Sequence, residues 1–288
     1  MKQLYLPIVA VISLILPKYG CSQTETKILI ESFDSTNTAD FLHKNKTWAT
    51  MHTLTWVDLN GNGREDAFES FKDVTIVSDP VNGNKNKVLS VRLNRLSGDT
   101  FFRFRNKKTL LNQMRRAEIA TLIGGEKKVQ LISPHNKYLF SFDILIPTDS
   151  FEFEKNKLAS RDIVAQWHDV GIESDSPPLS VQIRGNRWYL AVNRVGDKEH
   201  MDYIDLGEVQ QNKWVSWKFE VIFSPSSDGE LKVFKNKLQI YSDNQPNLPR
   251  DTYQYFKVGI YKPDWWRKPT TTISRKIYYD NISMFEVR

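Results

Sequence analysis

Short runs of alternating apolar and polar residues recur along almost the whole chain, and they restrict the fold more than any other feature. Clear examples are KVLSVRL (87–93), YLFSFDILI (138–146) and WVSWKFEVIFS (214–224). Successive side chains of a strand point to opposite faces of a sheet, so each run predicts a strand with one buried face. Turn sequences such as PVNGNKN separate the runs, and KVFKNKLQIY predicts a hairpin that turns at Asn236. The longer interruptions, 149–161 and 195–203, predict loops over a face or edge of the sandwich. This density of strands predicts an all-β fold, a jelly-roll β-sandwich of two antiparallel sheets.

The first 23 residues differ from the rest and predict an export signal. Lys2 precedes an apolar run from Leu4 to Leu16, and small and polar residues follow. The run is shorter than the roughly 18–20 apolar residues of a membrane-spanning helix. Residues 24–288 contain no internal repeat and no Pro- or Ser-rich linker, so we interpret them as one domain. We expect a monomer that is secreted, periplasmic or attached to a bacterial outer membrane as a lipoprotein.

Cys21 is the only cysteine of the chain, so no intrachain disulfide forms. Its position directly after the apolar run resembles the lipidated cysteine of bacterial lipoproteins, which would make it a lipid anchor. The alternative is a cysteine that is removed together with the signal peptide.

The formal charge of the whole chain is +6, which favours anionic partners. Because the sequence shows no basic helix, zinc-ligand spacing or other nucleic-acid motif, we expect an acidic polysaccharide rather than nucleic acid.

The stretch IVAQWHDVG (163–171) combines a strand pattern with a glutamine and a histidine. Strict alternation separates it into an apolar core set and a polar set: Ile163, Ala165 and Trp167 against Val164, Gln166 and His168.

Two further strands show the same separation. QYFKVGIYK places Tyr255, Lys257, Gly259 and Tyr261 opposite an apolar set, and RAE (116–118) places Arg116 and Glu118 on one face. The glycine leaves room for a close approach to the backbone. Alternation alone leaves two interpretations open, a groove lined by these residues or the ordinary solvent-facing side of a sheet.

The motifs RAE (116–118), QWH (166–168) and YFKVGIY (255–261), in this order, resemble the three signature strands of jelly-roll polysaccharide lyases. Family 7 alginate lyases, glucuronan lyases and heparin lyase I share this layout, and AQWH and YFKVGIYK are most similar to the heparin lyase I group. The resemblance extends from about residue 85 to the C-terminus, although the chain is much shorter than heparin lyase I. It implies a concave substrate groove and cleavage of a uronic-acid polymer that is heparin-like, glucuronan-like or alginate-like.

The resemblance also implies catalytic roles. Such lyases remove the C-5 proton beside the uronate carboxylate and expel the glycosidic oxygen on C-4. Arg116 and Gln166 would neutralise the carboxylate. His168 would act as the base, because histidine has an ordinary pKa of about 6.5, and Tyr261 would protonate the leaving oxygen or act as both base and acid.

We expect further substrate-binding residues beside this set: Lys257, Tyr255, Glu118, Arg184, Trp265 and Trp266. Lys257 would hold an acidic group or lower the pKa of Tyr261, and the adjacent tryptophans would stack on sugar rings. Plainer alternatives remain, among them a structural histidine at 168 and an Arg116–Glu118 ion pair. A non-catalytic carbohydrate-binding sandwich is the competing function. A sandwich glycoside hydrolase is disfavoured because the chain lacks the Glu-x-Asp-x-x-Glu pattern.

The segment DLNGNGREDAFE (58–69) matches the ligand spacing of a calcium loop. Its candidate ligands are Asp58, Asn60, Asn62, Arg64 (through its carbonyl), Asp66 and Glu69. The match predicts a structural Ca²⁺ and the alternative is a polar turn; no cofactor is expected for catalysis.

Overall fold

All regular elements in the described part of the chain are β-strands. The computed structural model describes residues 24–34, 49–52, 56–57, 66–67, 74–94, 101–104, 107–110, 116–121, 131–155, 160–170, 176–196, 201–263 and 270–288. Within these ranges the chain has no helix with the length and hydropathy needed to cross a bilayer.

Most strands belong to two antiparallel sheets. The back sheet has eight strands, in the order β17-β16-β15-β10-β19-β6-β5 with β1 also paired to β19. Its members are β1 (Glu25–Glu31), β5 (Val74–Asp79), β6 (Gly83–Asn94), β10 (Lys137–Leu145), β15 (Trp214–Ile222), β16 (Glu230–Lys235), β17 (Leu238–Asp243) and β19 (Ser274–Val287). The site sheet has seven strands, in the order β14-β13-β12-β11-β18-β9-β2. Its members are β2 (Ala49–His52), β9 (Arg116–Ala120), β11 (Arg161–Asp169), β12 (Leu179–Arg184), β13 (Arg187–Val192), β14 (Asp202–Glu208) and β18 (Gln254–Tyr261).

Two short hairpins complete the described strands. β3 (Trp56–Val57) pairs with β4 (Asp66–Ala67), and β7 (Phe101–Phe104) pairs with β8 (Lys107–Leu110). The predicted all-β sandwich of two antiparallel sheets is confirmed.

Apolar side chains of both sheets meet in one core, and Trp167 of β11 lies at its centre. The Trp167 ring lies 5.2 Å from that of Phe140, 5.0 Å from that of Phe219 and 5.1 Å from that of Phe256. Phe140 and Phe219 belong to the back sheet, so the tryptophan joins the two layers. Truncating such a side chain costs about 3–5 kcal/mol, because burial and packing are both lost. Trp167 therefore anchors the strand on which Gln166 and His168 stand.

The predicted hairpin is present between β16 and β17. Asn236 and Lys237 have φ values of 50° and 71°, as a tight two-residue hairpin turn requires. Asn236 also accepts a hydrogen bond from the backbone of Ser216 at 3.0 Å, which holds the turn against β15.

One strand differs from the sequence interpretation. We took 195–203 as a loop, whereas β14 begins at Asp202. This edge strand has exposed or half-buried residues at most positions, so its apolar signal is weak.

Candidate active site

The three strands that carry the predicted site are neighbours, in the order β11-β18-β9. Direct cross-strand pairs join the predicted residues: Gln166 with Lys257, His168 with Tyr255, and Tyr261 with Arg116. Paired residues of antiparallel strands point to the same side of a sheet. Their chain neighbours, such as Trp167 and Val258, face the core. The outer face of the site sheet, which we call the site face, thus carries the described side chains of this set: Glu118, Gln166, His168, Tyr255, Lys257 and Tyr261.

A β-bulge interrupts β11 and corrects our assignment of its faces. Val164 lies in the core cluster, whereas Ile163 lies opposite Tyr261 on the site face. Strict alternation predicted the reverse. The register of β11 shifts between Ile163 and Ala165 against both β12 and β18, so Val164 and Ala165 both face the core.

Gly259 lies in β18 at the same bulge. Its φ is +146°, and a Cβ at this position would lie 2.2 Å from the carbonyl oxygen of Ala117 on β9. The predicted close approach at this glycine is therefore made by the neighbouring backbone. Any larger residue would push β9 and β18 apart.

Gln166 is fixed by a buried hydrogen bond. Its Nε2 donates to Oε1 of Glu118, which stands two strands away across β18. Gln166 is 1% exposed and Glu118 2%. An amide nitrogen carries two hydrogens, and the second can donate to a ligand. Glu118 thus holds the Gln166 amide through this bond, and its predicted contact with substrate stays a prediction.

A backbone hydrogen bond sets the tautomer of His168. Nδ1 lies 3.1 Å from the carbonyl oxygen of Asp169, and because a carbonyl only accepts, Nδ1 carries the hydrogen. In the neutral ring the lone pair is then on Nε2, as a general base requires. Asp169 itself accepts hydrogen bonds from Gln254 and Thr252, which hold the end of β11.

Tyr255 lies between two polar groups of the site. Its ring centroid is 5.6 Å from that of His168 and 5.0 Å from Nζ of Lys257. The second contact is a cation–π interaction, and Lys257 is only 1% exposed. Tyr261, four residues after Lys257, is half-buried on the same face. On the site face the Tyr255 ring thus contacts both the His168 ring, in a tilted arrangement, and the buried Lys257 ammonium.

A buried ion cluster anchors the chain directly after Tyr261. Nζ of Lys262 lies 3.4 Å from Asp162, and Nε of Arg275 in the back sheet lies 3.2 Å from the same carboxylate. These side chains are at most 2% exposed. Burial lowers the pKa of Lys262 and Asp162 opposes this shift. Breaking such a cluster typically costs about 3–5 kcal/mol, so the end of β18 is held firmly against the opposite layer.

Arg184 stands at a second place on the site face. Its guanidinium carbon lies 3.8 Å from the ring centroid of Tyr203 and 5.9 Å from that of Tyr189. Its Nε donates to Gln182 at 3.1 Å, and Gln182 in turn donates to Ser180 at 2.8 Å. Arg184 is thus stacked and oriented, as recognition of a planar anion requires.

Sequence reasoning missed the partners of Arg184. Alternation in PLSVQIR places Gln182 on the same face as Arg184, and alternation in RWYLAV places Tyr189 on the outer face of β13. The sequence pattern could therefore have identified both partners. Tyr203 was hidden because its strand was taken as a loop.

Several predicted residues lie outside the described part. Arg116 is described only as backbone of β9 and Asp66 only as backbone of β4, whereas Cys21, Asp58, Asn60, Asn62, Arg64, Glu69, Trp265 and Trp266 lie outside the described residues. Within the described ranges, no three His, Cys, Asp or Glu side chains are grouped to hold a metal ion. The calcium loop, the signal peptide and the paired tryptophans stay predictions.

Comparison with known proteins adds independent information. A family model described as "Polysaccharide lyase" matches residues 46–283. No curated protein sequence matches the chain.

Solved structures share the fold at low identity. An endo-β-1,4-glucuronan lyase from the fungus Trichoderma reesei is 14% identical, with a TM-score of 0.54, over 82% of this chain and 93% of that one. The family 7 alginate lyase A1-II′ is 12% identical, with a TM-score of 0.56, over 87% and 99%. The marine family 7 alginate lyase AlyA1 from Zobellia galactanivorans is 12% identical, with a TM-score of 0.52, over 87% and 100%. The resemblance to jelly-roll polysaccharide lyases drawn from three motifs is confirmed.

Proposed function

This chain belongs to the polysaccharide lyase family, and from this premise we propose that it cleaves a uronic-acid-containing polysaccharide by β-elimination. One observation carries the proposal: Gln166, His168 and Tyr261 stand on one face of two adjacent strands. The structural neighbours named as glucuronan and alginate lyases support a uronate polymer as substrate. Heparin-like, glucuronan-like and alginate-like polymers are the candidates.

The uronate carboxylate is the first group that the site must handle. Removal of the C-5 proton places charge on this carboxylate, and donors aimed at it stabilise the enolate-like intermediate. We assign this task to Gln166 and Arg116. The bond from Gln166 to Glu118 supports the assignment, because a fixed amide needs no reorientation when charge develops.

Two side chains move the protons. In the proposed step His168 takes the C-5 proton on Nε2, the C-5 electrons form the C-4=C-5 double bond, and the C-4–oxygen bond breaks. Tyr261 gives its hydrogen to the departing oxygen. If both groups leave from the same side of the ring, Tyr261 acts as base and acid in turn.

Other residues would bind the polymer. Lys257 adds positive charge beside the reacting uronate, and Tyr255 keeps the ammonium in place. Arg184 would bind an acidic group farther along the chain, and Trp265 and Trp266 would stack on sugar rings.

The test follows the ultraviolet absorbance of the unsaturated product across heparin, heparan sulfate, glucuronan, alginate and pectate. We expect a signal on at least one polymer. His168→Ala or Tyr261→Phe should lower the rate of product formation about 10²–10⁴-fold, which is the usual contribution of an acid–base group.

Matched controls come from the same chain. His135 pairs with Asp228 and Asp251 at the surface, and Tyr278 lies on β19 of the back sheet, packed with Val88 and Leu145. His135→Ala and Tyr278→Phe should keep full activity. Tight binding of a polymer with no product on any of them would support a non-catalytic carbohydrate-binding sandwich instead.

We further propose that residues 1–23 direct export and that Cys21 receives a lipid. Growth of the native host with labelled palmitate should label the protein, and Cys21→Ala should remove the label and release the protein from the membrane fraction. Labelling that survives the substitution would contradict the anchor.

A structural Ca²⁺ in residues 58–69 is the remaining proposal. Calcium should raise the melting temperature, and Asp58→Asn together with Glu69→Gln should remove this response. An identical melting temperature in calcium and in chelator would contradict the site.

A further inference from the structure

The bulge between β11 and β18 sets the relative position of the proposed catalytic side chains. Gln166 and Ile163 are three residues apart on β11, whereas their partners Lys257 and Tyr261 are four apart on β18. A regular ladder continued from the Gln166–Lys257 pair would place Asp162, not Ile163, opposite Tyr261. That would turn a carboxylate towards an anionic substrate. The bulge instead leaves Asp162 buried with Lys262 and Arg275.

A bulge disrupts the hydrogen bonds between strands, so its backbone groups need other partners. Here the partner comes from the opposite layer. The hydroxyl of Tyr279 on β19 lies 2.6 Å from the carbonyl oxygen of Val164 and 2.9 Å from that of Gly259, and it accepts from the Gly259 amide at 3.3 Å. One side chain thus contacts both strands of the bulge.

The surroundings of Tyr279 suit a permanent contact. The residue is 0% exposed, and its ring packs against that of Phe142 at 6.1 Å. Burial raises the pKa of Tyr279 well above its usual value, although the bond with Gly259 opposes the shift. The phenol therefore keeps its hydrogen over the working pH range and can donate throughout it.

We propose that Tyr279 is a positioning residue, whose hydroxyl holds the Val164–Gly259 bulge from the back sheet and so fixes Tyr261 relative to Gln166 and His168. The inference rests on the proposed function, since it assigns Tyr279 an effect on the step that Tyr261 performs. Tyr279 itself faces the core, so it does not touch substrate.

The first experiment compares Tyr279→Phe with Tyr138→Phe. Tyr138 is also a buried tyrosine of the back sheet, and its hydroxyl accepts from the backbone of Ser133 at 3.0 Å. Both substitutions remove one core hydroxyl, but only one of them touches the bulge. Tyr279→Phe should lower kcat about 10- to 100-fold with KM nearly unchanged, because small misplacements of reacting groups cost rate. A kcat equal to that of Tyr138→Phe, or a loss confined to KM, would overturn the proposal.

A second readout does not depend on turnover. Amide hydrogen exchange at Gly259, measured by NMR, should be at least about tenfold faster in Tyr279→Phe and unchanged in Tyr138→Phe, because exchange reports local opening. Unchanged exchange at Gly259 would refute the proposed contact of Tyr279 with the bulge, even in an active enzyme. If the wild-type protein cleaved none of the polymers, the proposed function would be refuted, and the exchange result would still decide whether Tyr279 holds the bulge.

Should Tyr279→Phe not yield folded protein, Val164→Ala is the second variant. It loosens the bulge while it keeps the hydroxyl. Val192→Ala is its match, since Val192 faces the same core from β13, whose pairing with β12 is regular. Val164→Ala should lower kcat and speed Gly259 exchange more than Val192→Ala. Equal effects of the two would contradict the proposal.

Discussion

The outer faces of the two sheets carry polar side chains in the same alternating pattern, but their surroundings differ. On the back sheet, Lys137 pairs with Glu230 at 3.2 Å and with Glu220 at 3.6 Å, and these side chains keep 18–23% exposure. On the site face, Gln166 and Lys257 are each 1% exposed. Burial of polar groups costs free energy, and the partly exposed Lys137 cluster avoids much of this cost. On the site face the proposed elimination gives a reason for it, because buried donors and cations act more strongly on a substrate carboxylate.

The largest expected effect comes from adding a charge to each face. Gln166→Glu places a second carboxylate against Glu118 and against the carboxylate of the substrate. We expect kcat to fall about 10²–10³-fold, as when a donor to a developing anion is lost. Gln239→Glu adds the same charge on β17 of the back sheet, where the residue is exposed, and should keep full activity.

The same pair makes a prediction about pH. Neighbouring carboxylates raise each other's pKa, so the folded Gln166→Glu variant binds an extra proton. Its deficit in the free energy of unfolding should then be largest near neutral pH and shrink as the pH falls towards about 4, the ordinary pKa of a glutamate. Denaturant titrations between pH 4 and 8 check this. A deficit independent of pH would mean that the two carboxylates do not interact.

Removal of one hydrogen-bond acceptor from each face should give a smaller difference in stability and activity between the two faces. Glu118→Ala leaves the buried Gln166 amide without its partner, which should cost about 1–3 kcal/mol of unfolding free energy and lower kcat. Glu220→Ala breaks a partly exposed ion pair and should cost about 0–1 kcal/mol. Chemical unfolding and initial rates measure both effects. Equal losses of stability would remove the distinction between the faces.

The two arginines of the β12–β13 hairpin allow a finer comparison within the site face. Arg187 is paired with Asp205 at 2.7 Å, whereas Arg184 stacks on Tyr203. Arg184→Gln should raise KM about tenfold with kcat unchanged, the loss of roughly one charge-assisted hydrogen bond. Arg187→Gln should leave both constants unchanged. A larger rise of KM for Arg187→Gln would place the anion contact at the other arginine.

Local patterns predicted much of this molecule, because alternation reports which side chains face the core. The strands around Trp167 and the RAE and YFKVGIY faces follow from it. Alternation does not predict that the three site strands are neighbours, because pairing between distant segments depends on the whole sheet.

The bulge at Val164 also escaped sequence reasoning. Alternation assumes an unbroken period of two, and the partner that stabilises the break is Tyr279, more than 100 positions later in the chain. The Gln166–Glu118 bond escaped for a related reason, because it crosses an intervening strand.

The smallest expected effect concerns acid stability and compares one aspartate from each sheet. Burial tends to raise the pKa of Asp79 at the end of β5, but hydrogen bonds from Val81, Asn82 and Asn86 outweigh it and lower this pKa. The hydrogen bond from Arg187 lowers the pKa of Asp205 on the site sheet. In both cases the stabilisation is present above the ordinary pKa of 3.8 and is lost as the pH falls through the lower folded value.

Salt separates the two aspartates. Asp79→Asn and Asp205→Asn should each reduce the pH dependence of unfolding in acid at low ionic strength. At about 1 M salt, where the screening length falls to about 3 Å, the effect of Asp205→Asn should shrink, because its ion pair with Arg187 is exposed to the solvent ions. The effect of Asp79→Asn should remain, because Asp79 is 2% exposed and is held by short-range hydrogen bonds. Thermal unfolding between pH 2.5 and 6 at both salt concentrations measures this, and equal screening of the two would show that the Asp79 cluster is solvated like the surface pair.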